Sequence, residues 1–144
     1  MITSNHLEKQ KNMSREIKFE YGFESVNGIV KKVYALSEIP NIKEKCEVWN
    51  VLPIVYVRQF VGLFDNNGYE FLEGDIFKLT HKEKEHIKVI KWNSNNACFS
   101  SASIFNLKKD DYYDIWTDLT FDYLTRFKCE KIGNIYKNKD LLPT

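Results

Sequence analysis

Residues 58–76 read RQFVGLFDNNGYEFLEGDI, and this stretch decides the fold that the sequence predicts. An apolar strand runs into Gly62, an Asn-Gly turn ends at Gly68, and a Glu-Gly-Asp corner centred on Gly74 starts a second apolar strand. Glycine is the default residue where the backbone needs a conformation that other residues resist. We therefore expect these glycines to bend a chain of alternating apolar residues into a closed sheet, and to serve architecture ahead of chemistry.

Short strands with polar connections extend from this stretch in both directions. Alternation of apolar and polar residues predicts strands over 15–21, 29–35, 54–61, 75–80, 87–92, 97–105 and 128–136. In the first strand we expect Ile17, Phe19 and Tyr21 on the buried face and Glu20 on the polar face. The segment Ser25-Val26-Asn27-Gly28 predicts a turn, with Asn27 and Gly28 supplying the positive φ angles of a tight hairpin.

The remaining segments are predicted as turns, loops and short helical pieces. A charged loop is expected over 81–86, a turn over 93–96 and a closing helical turn over 138–142, with Leu141 and Leu142 packed down. Helical spacing and strand alternation compete over 108–127, and a short helix near 110–117 followed by a strand is preferred. The sequence thus predicts a mostly β protein with minor α structure.

Three regions are predicted along the chain. Residues 1–13 read as a flexible tail without apolar periodicity, 14–57 as an N-terminal β subdomain, and 58–143 as a C-terminal SH3-like small barrel. Small β subdomains leave strand edges that can pair with another chain, so homo-oligomerisation is expected, with exchange of the N-terminal strands as one route.

Composition limits the classes of function. The chain of 144 residues is 43% hydrophobic, and its 21 Lys+Arg against 20 Asp+Glu leave a net charge of +1. Proteins held to nucleic acid by bulk charge are usually more basic. Cys46, Cys98 and Cys129 are far apart and odd in number, which indicates reduced thiols in a cytoplasmic protein. Residues 1–13 lack the apolar segment of a signal peptide, and the longest apolar run, around 51–57, is too short to span a bilayer, so no membrane partner is expected.

Candidate catalytic and metal-binding residues have simpler structural interpretations. Glu70, Glu73 and Asp75 form either a carboxylate pair for acid–base or metal chemistry, or a tight corner in which Asp75 bonds turn amides; the corner is favoured. His81 and His86 fit an exposed loop better than a metal site. With no recognisable nucleophile, we expect no enzyme, no metal, no cofactor and no catalytic residue.

Two clusters are candidate binding surfaces. Lysines and a tryptophan on the first two barrel strands could bind single-stranded nucleic acid through phosphates and stacking, and the proposed binding residues are Lys78, Lys88, Lys91 and Trp92. Glu83 and Glu85 interleave the lysines and weaken this interpretation. An acidic stripe with aromatic residues, from which Tyr112 and Tyr113 are taken, suits a docking face for a basic protein or an ordinary solvated helix. The stripe comprises Asp110, Asp111, Asp114, Asp118 and Asp122, with Trp116 among them.

The stretch 58–76 resembles the signature of the YopX family, small proteins carried mainly by phages and prophages of Gram-positive bacteria. A second match lies over 132–138, with Gly133 and Asn134 as motif residues, and a weaker one over 15–19 resembles the family's opening strand. The resemblance implies a fold and a phage setting in a host cell. It implies no biochemical activity, because the family has no established general one.

Three functional hypotheses follow. The first is a non-enzymatic phage accessory protein that acts as a protein-interaction module, with a host or phage protein as its partner. The alternative is a nucleic-acid or nucleotide binder that uses the Lys/Trp face of the barrel. A hydrolase using Glu73 and Asp75 is the least favoured.

Overall fold

The computed structural model describes residues 16–38, 52–104 and 116–142. These residues form nine strands, one short helix and a closing 3₁₀ turn: β1 Lys18–Ser25, β2 Gly28–Ala35, β3 Ile54–Phe64, β4 Glu70–Leu72, β5 Asp75–His81, β6 Lys84–Asn93, β7 Cys98–Ser103, β8 Trp116–Asp118, α1 Phe121–Arg126, β9 Lys128–Asn134 and the 3₁₀ turn Lys139–Leu141. The prediction of a mostly β protein is confirmed. The predicted tail over 1–13 lies outside the described residues.

The chain divides into two compact units, one formed by Arg15–Phe60 and one that takes in the chain from Val61 onward. In the first unit β1 lies between β2 and β3, and both pairings are antiparallel. In the second unit the end of β3 neighbours β4, and five further strands form an antiparallel sheet in the order β8-β7-β6-β5-β9. Each unit therefore contains antiparallel strand pairs of its own.

The hairpin of the first unit turns over Ser25–Gly28, as predicted, but its backbone angles differ from the prediction. Ser25 pairs with Gly28, so Val26 and Asn27 form the turn. Gly28 has a φ of +112°, but Asn27 is not among the residues with positive φ, and the prediction of positive φ at both Asn27 and Gly28 is wrong. The Ser25 hydroxyl accepts from the Asn27 amide at 3.3 Å and donates to the Gly28 carbonyl at 2.7 Å. This serine side chain organises the turn that Asn-Gly alone was expected to define.

Glu20 lies in the buried part of the first unit, against the prediction that it faces solvent. Its carboxylate accepts from Arg58 Nε at 2.8 Å and from the Tyr56 hydroxyl at 2.9 Å, and Arg58 is only 3% exposed. The Tyr56 ring also covers Gly22, where a Cβ atom would collide with it. A buried charge is tolerated when it is paired and hydrogen-bonded, and strand alternation alone does not reveal the partner.

We expect Arg58→Met to lower the free energy of unfolding by about 3 kcal/mol, because it leaves the Glu20 carboxylate buried without its cation. The double variant Glu20→Leu/Arg58→Met removes both charges and is expected to be more stable than the single variant. Urea denaturation of both proteins tests this. A single variant as stable as the unmodified protein would show that the pair contributes nothing.

The predicted closed barrel is not formed by the described residues. The five-stranded sheet is open, with β8 and β9 at its two edges, and closure would need these edges to pair. The physical reason is that the sheet carries apolar residues on both faces: Phe77, Leu79 and Ile90 belong to one cluster, while Ile76 and Val89 belong to another. A small barrel has one apolar interior, whereas this sheet is covered on two sides. We call these surfaces the Phe77 face and the Ile76 face.

A tight hairpin replaces the charged loop that was predicted over 81–86. His81 pairs with Lys84 at the end of β5 and β6, so Lys82 and Glu83 alone form the turn. Their φ angles are +49° and +65°, which is the left-handed conformation that favours Asn and Gly in two-residue turns. The sequence has neither residue at 82–83, so the residue types there do not predict a two-residue turn.

The segment after residue 115 differs from its prediction. Trp116–Asp118 is a strand, and Phe121–Arg126 is a helix where a strand was expected. Thr120 caps the helix by accepting from the Tyr123 amide at 3.1 Å, and Asp122 pairs with Arg126 at 2.7 Å one turn later. The predicted helix over 110–115 lies outside the described residues.

Two further predicted elements, the final strand and the closing turn, differ in part from the structure. The final strand stops at Asn134 instead of residue 136, because a side-chain-stabilised turn begins there. In the closing turn Leu142 packs against the Ile76-face cluster as expected, but Leu141 is exposed.

The double variant Lys82→Asn/Glu83→Gly should raise the free energy of unfolding by about 1 kcal/mol, since it removes the left-handed strain on two ordinary side chains. Lys84→Gly is the matched control, because Lys84 is in extended strand and glycine there should cost about 0.5–1 kcal/mol. Chemical denaturation measures both changes. Equal destabilisation by the two sets of substitutions would contradict the turn assignment.

Candidate binding surfaces and the buried corner

Asp65 is fully buried at the start of the turn between β3 and β4. Its Oδ1 accepts from the Asn67 and Tyr69 amides, both at 2.9 Å, and its Oδ2 accepts from the Lys131 amide at 2.9 Å. The neighbouring Asn66 makes a reciprocal pair with Cys129: its amide donates to the Cys129 carbonyl at 2.9 Å and its Oδ1 accepts from the Cys129 amide at 3.3 Å. The turn is thus fastened to β9.

Asp75 is fully buried at the Glu-Gly-Asp corner. Its Oδ2 accepts from the Leu72 amide at 2.7 Å and from Lys131 Nζ at 2.9 Å. Lys131 Nζ also donates to the backbone carbonyl of Glu70 at 3.1 Å, so Glu70 contributes its main chain to this site. A carboxylate held by an amide and an ammonium inside the fold suits a corner better than acid–base chemistry on a substrate.

Gly74 and the second glycine motif meet at the same corner. Gly74 has a φ of +85°; its amide donates to the Ile90 carbonyl at 2.8 Å, and its carbonyl accepts from the Ile135 amide at 2.9 Å. The Asn134 side chain accepts from the amides of Tyr136 and Lys137 at 3.0 and 2.8 Å. Gly62 and Gly68 also have positive φ, of +89° and +86°.

Gly133 does not need a positive φ angle; its constraint is space. A Cβ atom built there would collide with the Asn138 side chain, whose Oδ1 accepts from the Asn134 amide at 3.1 Å. The Gly-Asn pair therefore allows Asn138 to close the turn that follows β9.

The four proposed Lys/Trp binding residues do not share one face of the sheet. Phe77 lies opposite Lys88 and Lys78 lies opposite Ile87, and residues directly opposite in an antiparallel pair point to the same side. By strand alternation, Lys88 and Trp92 are on the Phe77 face, while Lys78 and Lys91 are on the Ile76 face. The single Lys/Trp face predicted from the sequence is therefore not formed.

Trp92 packs edge-on against Phe99, with ring centroids 5.2 Å apart, and stays 43% exposed. Lys78 pairs with Glu85 at 3.7 Å across the same strand pair. An exposed pair of this kind contributes little to stability.

A shallow cleft of about 230 Å³ lies on the Phe77 face beside α1. We call it the Lys88 cleft, and the residues that line it are Leu79, His81, His86, Lys88, Tyr123 and Phe127. The strand register directs both histidines to this face, because His86 lies opposite Leu79 and His81 is two residues further along β5. Sequence reasoning missed this site by placing both histidines in a loop.

The polar groups of the Lys88 cleft are partly withdrawn from water. Burial lowers the pKa of the Lys88 ammonium and raises the pKa of the Tyr123 hydroxyl, which lies 3.3 Å from the Ser101 hydroxyl. Phe127 makes edge contacts with the rings of His81 and Tyr123, at centroid distances of 5.0 and 5.4 Å. The cleft therefore combines an aromatic wall with one ammonium group.

The acidic stripe does not continue through its described part as one helix face. Asp118 is in β8 and Asp122 is in α1, where it pairs with Arg126. The other members of the stripe lie outside the described residues, and so do two of the proposed binding residues: Asp110, Asp111, Tyr112, Tyr113 and Asp114.

A small polar cluster surrounds Asp118. Its Oδ1 accepts from Asn96 Nδ2 at 3.1 Å and from the Ser100 hydroxyl at 3.2 Å, and the Asn96 hydrogen bond is the main cause that lowers the pKa of Asp118. Cys98 lies 3.7 Å from the Ser100 hydroxyl, but burial raises the pKa of its thiol. A thiol shifted in this direction is a poor nucleophile.

Cys129 is a fully buried thiol under β9. Burial, with a smaller contribution from the nearby charge of Asp65, raises its pKa to about 12. This thiol packs as a small apolar group. Cys46 lies outside the described residues. Within 16–38, 52–104 and 116–142, no group of three or more metal-binding side chains converges.

The model of the family described as YopX protein matches residues 4–143. The chain belongs to the YopX family. The two stretches that suggested the YopX family from the sequence, 58–76 and 132–138, are brought together at Gly74 and Ile135. No curated protein matches the chain.

The described part of this YopX-family chain contains little helix. Among the residues for which the structure gives positions, no helix has the length and apolar character needed to cross a membrane.

We expect Asp75→Asn to lower the free energy of unfolding by about 3 kcal/mol or more, because Lys131 loses its buried counter-charge. Glu73→Gln, two residues away and partly exposed, is the matched control and should change stability by less than about 0.5 kcal/mol. Thermal and urea unfolding distinguish the two. If both variants unfold with the unmodified protein, Asp75 does not hold the corner.

Proposed function

We propose that this phage-type protein is a non-enzymatic protein-interaction module that binds an extended segment of a partner protein along β2. YopX family membership suggests the phage setting, and we place its action in the host cytoplasm, in keeping with the thiols of Cys98 and Cys129. Two observations support a non-enzymatic role. The Asp75 carboxylate is bound by Lys131 and the Leu72 amide within the corner, and the raised pKa of Cys98 makes this thiol a poor nucleophile.

The observation that carries the proposal is the outer edge of β2. All eight residues of β2 pair with β1, and no other strand of the described ranges pairs with β2. Ile29 and Val33 are about half exposed on this strand, at 48% and 52%. A sheet edge with apolar side chains offers main-chain hydrogen bonds and side-chain contacts to an added strand.

The direction of the free backbone groups follows from the hairpin register. In a two-residue hairpin the residues that flank the turn exchange hydrogen bonds, and bonded and non-bonded pairs then alternate along the strands. Ser25 and Gly28 flank the turn, so Ile29, Lys31 and Val33 direct their amides away from β1. These three positions would bind the partner's main chain.

The charge of the edge favours a partner other than a second copy. β2 has the sequence GIVKKVYA, with two lysines at its centre and no acidic residue. Antiparallel pairing of two β2 strands would bring Lys31 and Lys32 of both copies together, and like charges in that position are destabilising. An extended segment with alternating apolar and acidic residues complements the edge. Homo-oligomerisation by exchange of the N-terminal strands remains a second proposal.

The likeness of the second unit to an SH3 domain also stays a proposal. The β5-β6-β7 meander supports it, and the open order of the sheet argues against a closed form.

Peptides that are selected from a display library for binding to the protein test this edge proposal. We expect selected binders to alternate apolar and acidic residues and to slow amide exchange at Ile29, Lys31 and Val33. Lys31→Pro should reduce binding on the order of tenfold or more beyond the effect of Lys31→Gln, because proline removes the outward amide while both variants remove the charge.

Unchanged exchange at these three amides, or equal binding by Lys31→Pro and Lys31→Gln, would overturn the edge proposal. Circular dichroism of Lys31→Pro checks that the hairpin persists. Light scattering at high micromolar concentration addresses strand exchange separately: a protein that remains monomeric removes the homo-oligomer.

A further inference from the structure

The Lys88 cleft holds a cation that has no counter-ion among the described residues. No carboxylate of the described residues pairs with Lys88, whereas Lys78, Lys128 and Lys131 each lie within 3.7 Å of one. Lys88 is half-buried, and the lining residues of the cleft include no Asp or Glu. Withdrawing a charge from water is unfavourable unless an opposite charge accompanies it, so an anionic ligand would stabilise this arrangement.

Side chains that carry hydrogen-bond donors line the cleft from three elements. Lys88 and His86 are on β6, His81 is at the end of β5, and Tyr123 is on α1. An ammonium offers three donors as a compact point charge, and each imidazole and phenol adds one. A set of separate donors of this kind suits the three oxygens of a phosphate group better than the flat fork of a carboxylate, which an arginine would match.

The remaining lining of the cleft is apolar and aromatic. Leu79 is buried beneath it, and Phe127 stands between the rings of His81 and Tyr123. Such a wall suits a flat ring attached to the phosphate, through contact with the aromatic edges and faces. The cleft is shallow and has a volume of about 230 Å³, so a molecule of this kind would lie only partly within it.

We propose that the Lys88 cleft binds a small organic phosphate with a flat ring, of the nucleoside monophosphate class, with Lys88 as the phosphate-binding cation. Nucleic acid fits less well, because it requires a row of cations along a path. Lys78 and Lys91 are directed to the opposite face of the sheet, so they cannot extend such a path from Lys88.

Calorimetric titration of the full chain tests the site with three probes: adenosine 5′-monophosphate, inorganic phosphate and adenosine. We expect the monophosphate to bind more tightly than inorganic phosphate, and adenosine not to bind measurably. Lys88→Gln should weaken monophosphate binding on the order of tenfold or more, because it removes a hydrogen bond to a charged group. Tyr123→Phe, which removes only a hydroxyl, should cause a smaller loss.

Lys91→Gln is the matched control, since it removes the same charge from the same strand on the opposite face. We expect its affinity for the monophosphate to equal that of the unmodified protein. Equal loss in Lys88→Gln and Lys91→Gln, or binding of adenosine as tight as that of the monophosphate, would overturn the assignment.

A single-stranded oligonucleotide is the fourth probe. Tighter binding of the oligonucleotide than of the monophosphate, with loss in Lys88→Gln, would replace the small-molecule assignment with a nucleic-acid one. The edge variant Lys31→Pro should leave monophosphate binding unchanged, so the two proposals succeed or fail independently.

Discussion

Lys131 is the residue on which the second unit depends, because two buried aspartates hold it at two points. Asp65 accepts from its backbone amide, and Asp75 accepts from its side-chain ammonium. Since Asp65 begins one turn and Asp75 ends the next, a single residue of β9 fixes the whole stretch between them. β9 also pairs with β5, which places it at one edge of the five-stranded sheet.

The same sheet has apolar residues on both faces, and this property shapes everything that is attached to it. Phe77 and Ile76 are adjacent in sequence and belong to separate apolar clusters. Polar residues on the strands are divided in the same way, so lysines that are close in sequence are separated by the thickness of the sheet. Lys88 lies beside α1 on one side, where the helix supplies aromatic walls, and the Lys88 cleft results from that combination.

The first unit relies on a buried ion pair and leaves a sheet edge without a described partner. Glu20 and Arg58 join β1 to β3 in the interior, at a cost in desolvation that the hydrogen bond from Tyr56 partly offsets. On the other side of β1, β2 presents lysines and half-exposed apolar residues. The two proposed functions therefore rest on different units of the chain and on different physics, main-chain pairing in one and charge pairing in the other.

The sequence by itself determined the strand content, the Asp65–Gly68 turn and the corner at Gly74, because glycine, asparagine and aspartate give strong local signals for a bent backbone. It also identified the YopX family from the two glycine stretches. Three features depend on the folded arrangement of the strands. They are the openness of the sheet, the pairing of Glu20 with Arg58, and the division of four predicted binding residues between two faces: Lys78, Lys88, Lys91 and Trp92. These features depend on strand register and on partners that are distant in sequence. The alternation of residues along a strand indicates which side chains share a face, but it does not indicate what packs against that face. The Lys82-Glu83 turn was missed for a related reason, since strand pairing imposes left-handed angles there on residues that do not favour them.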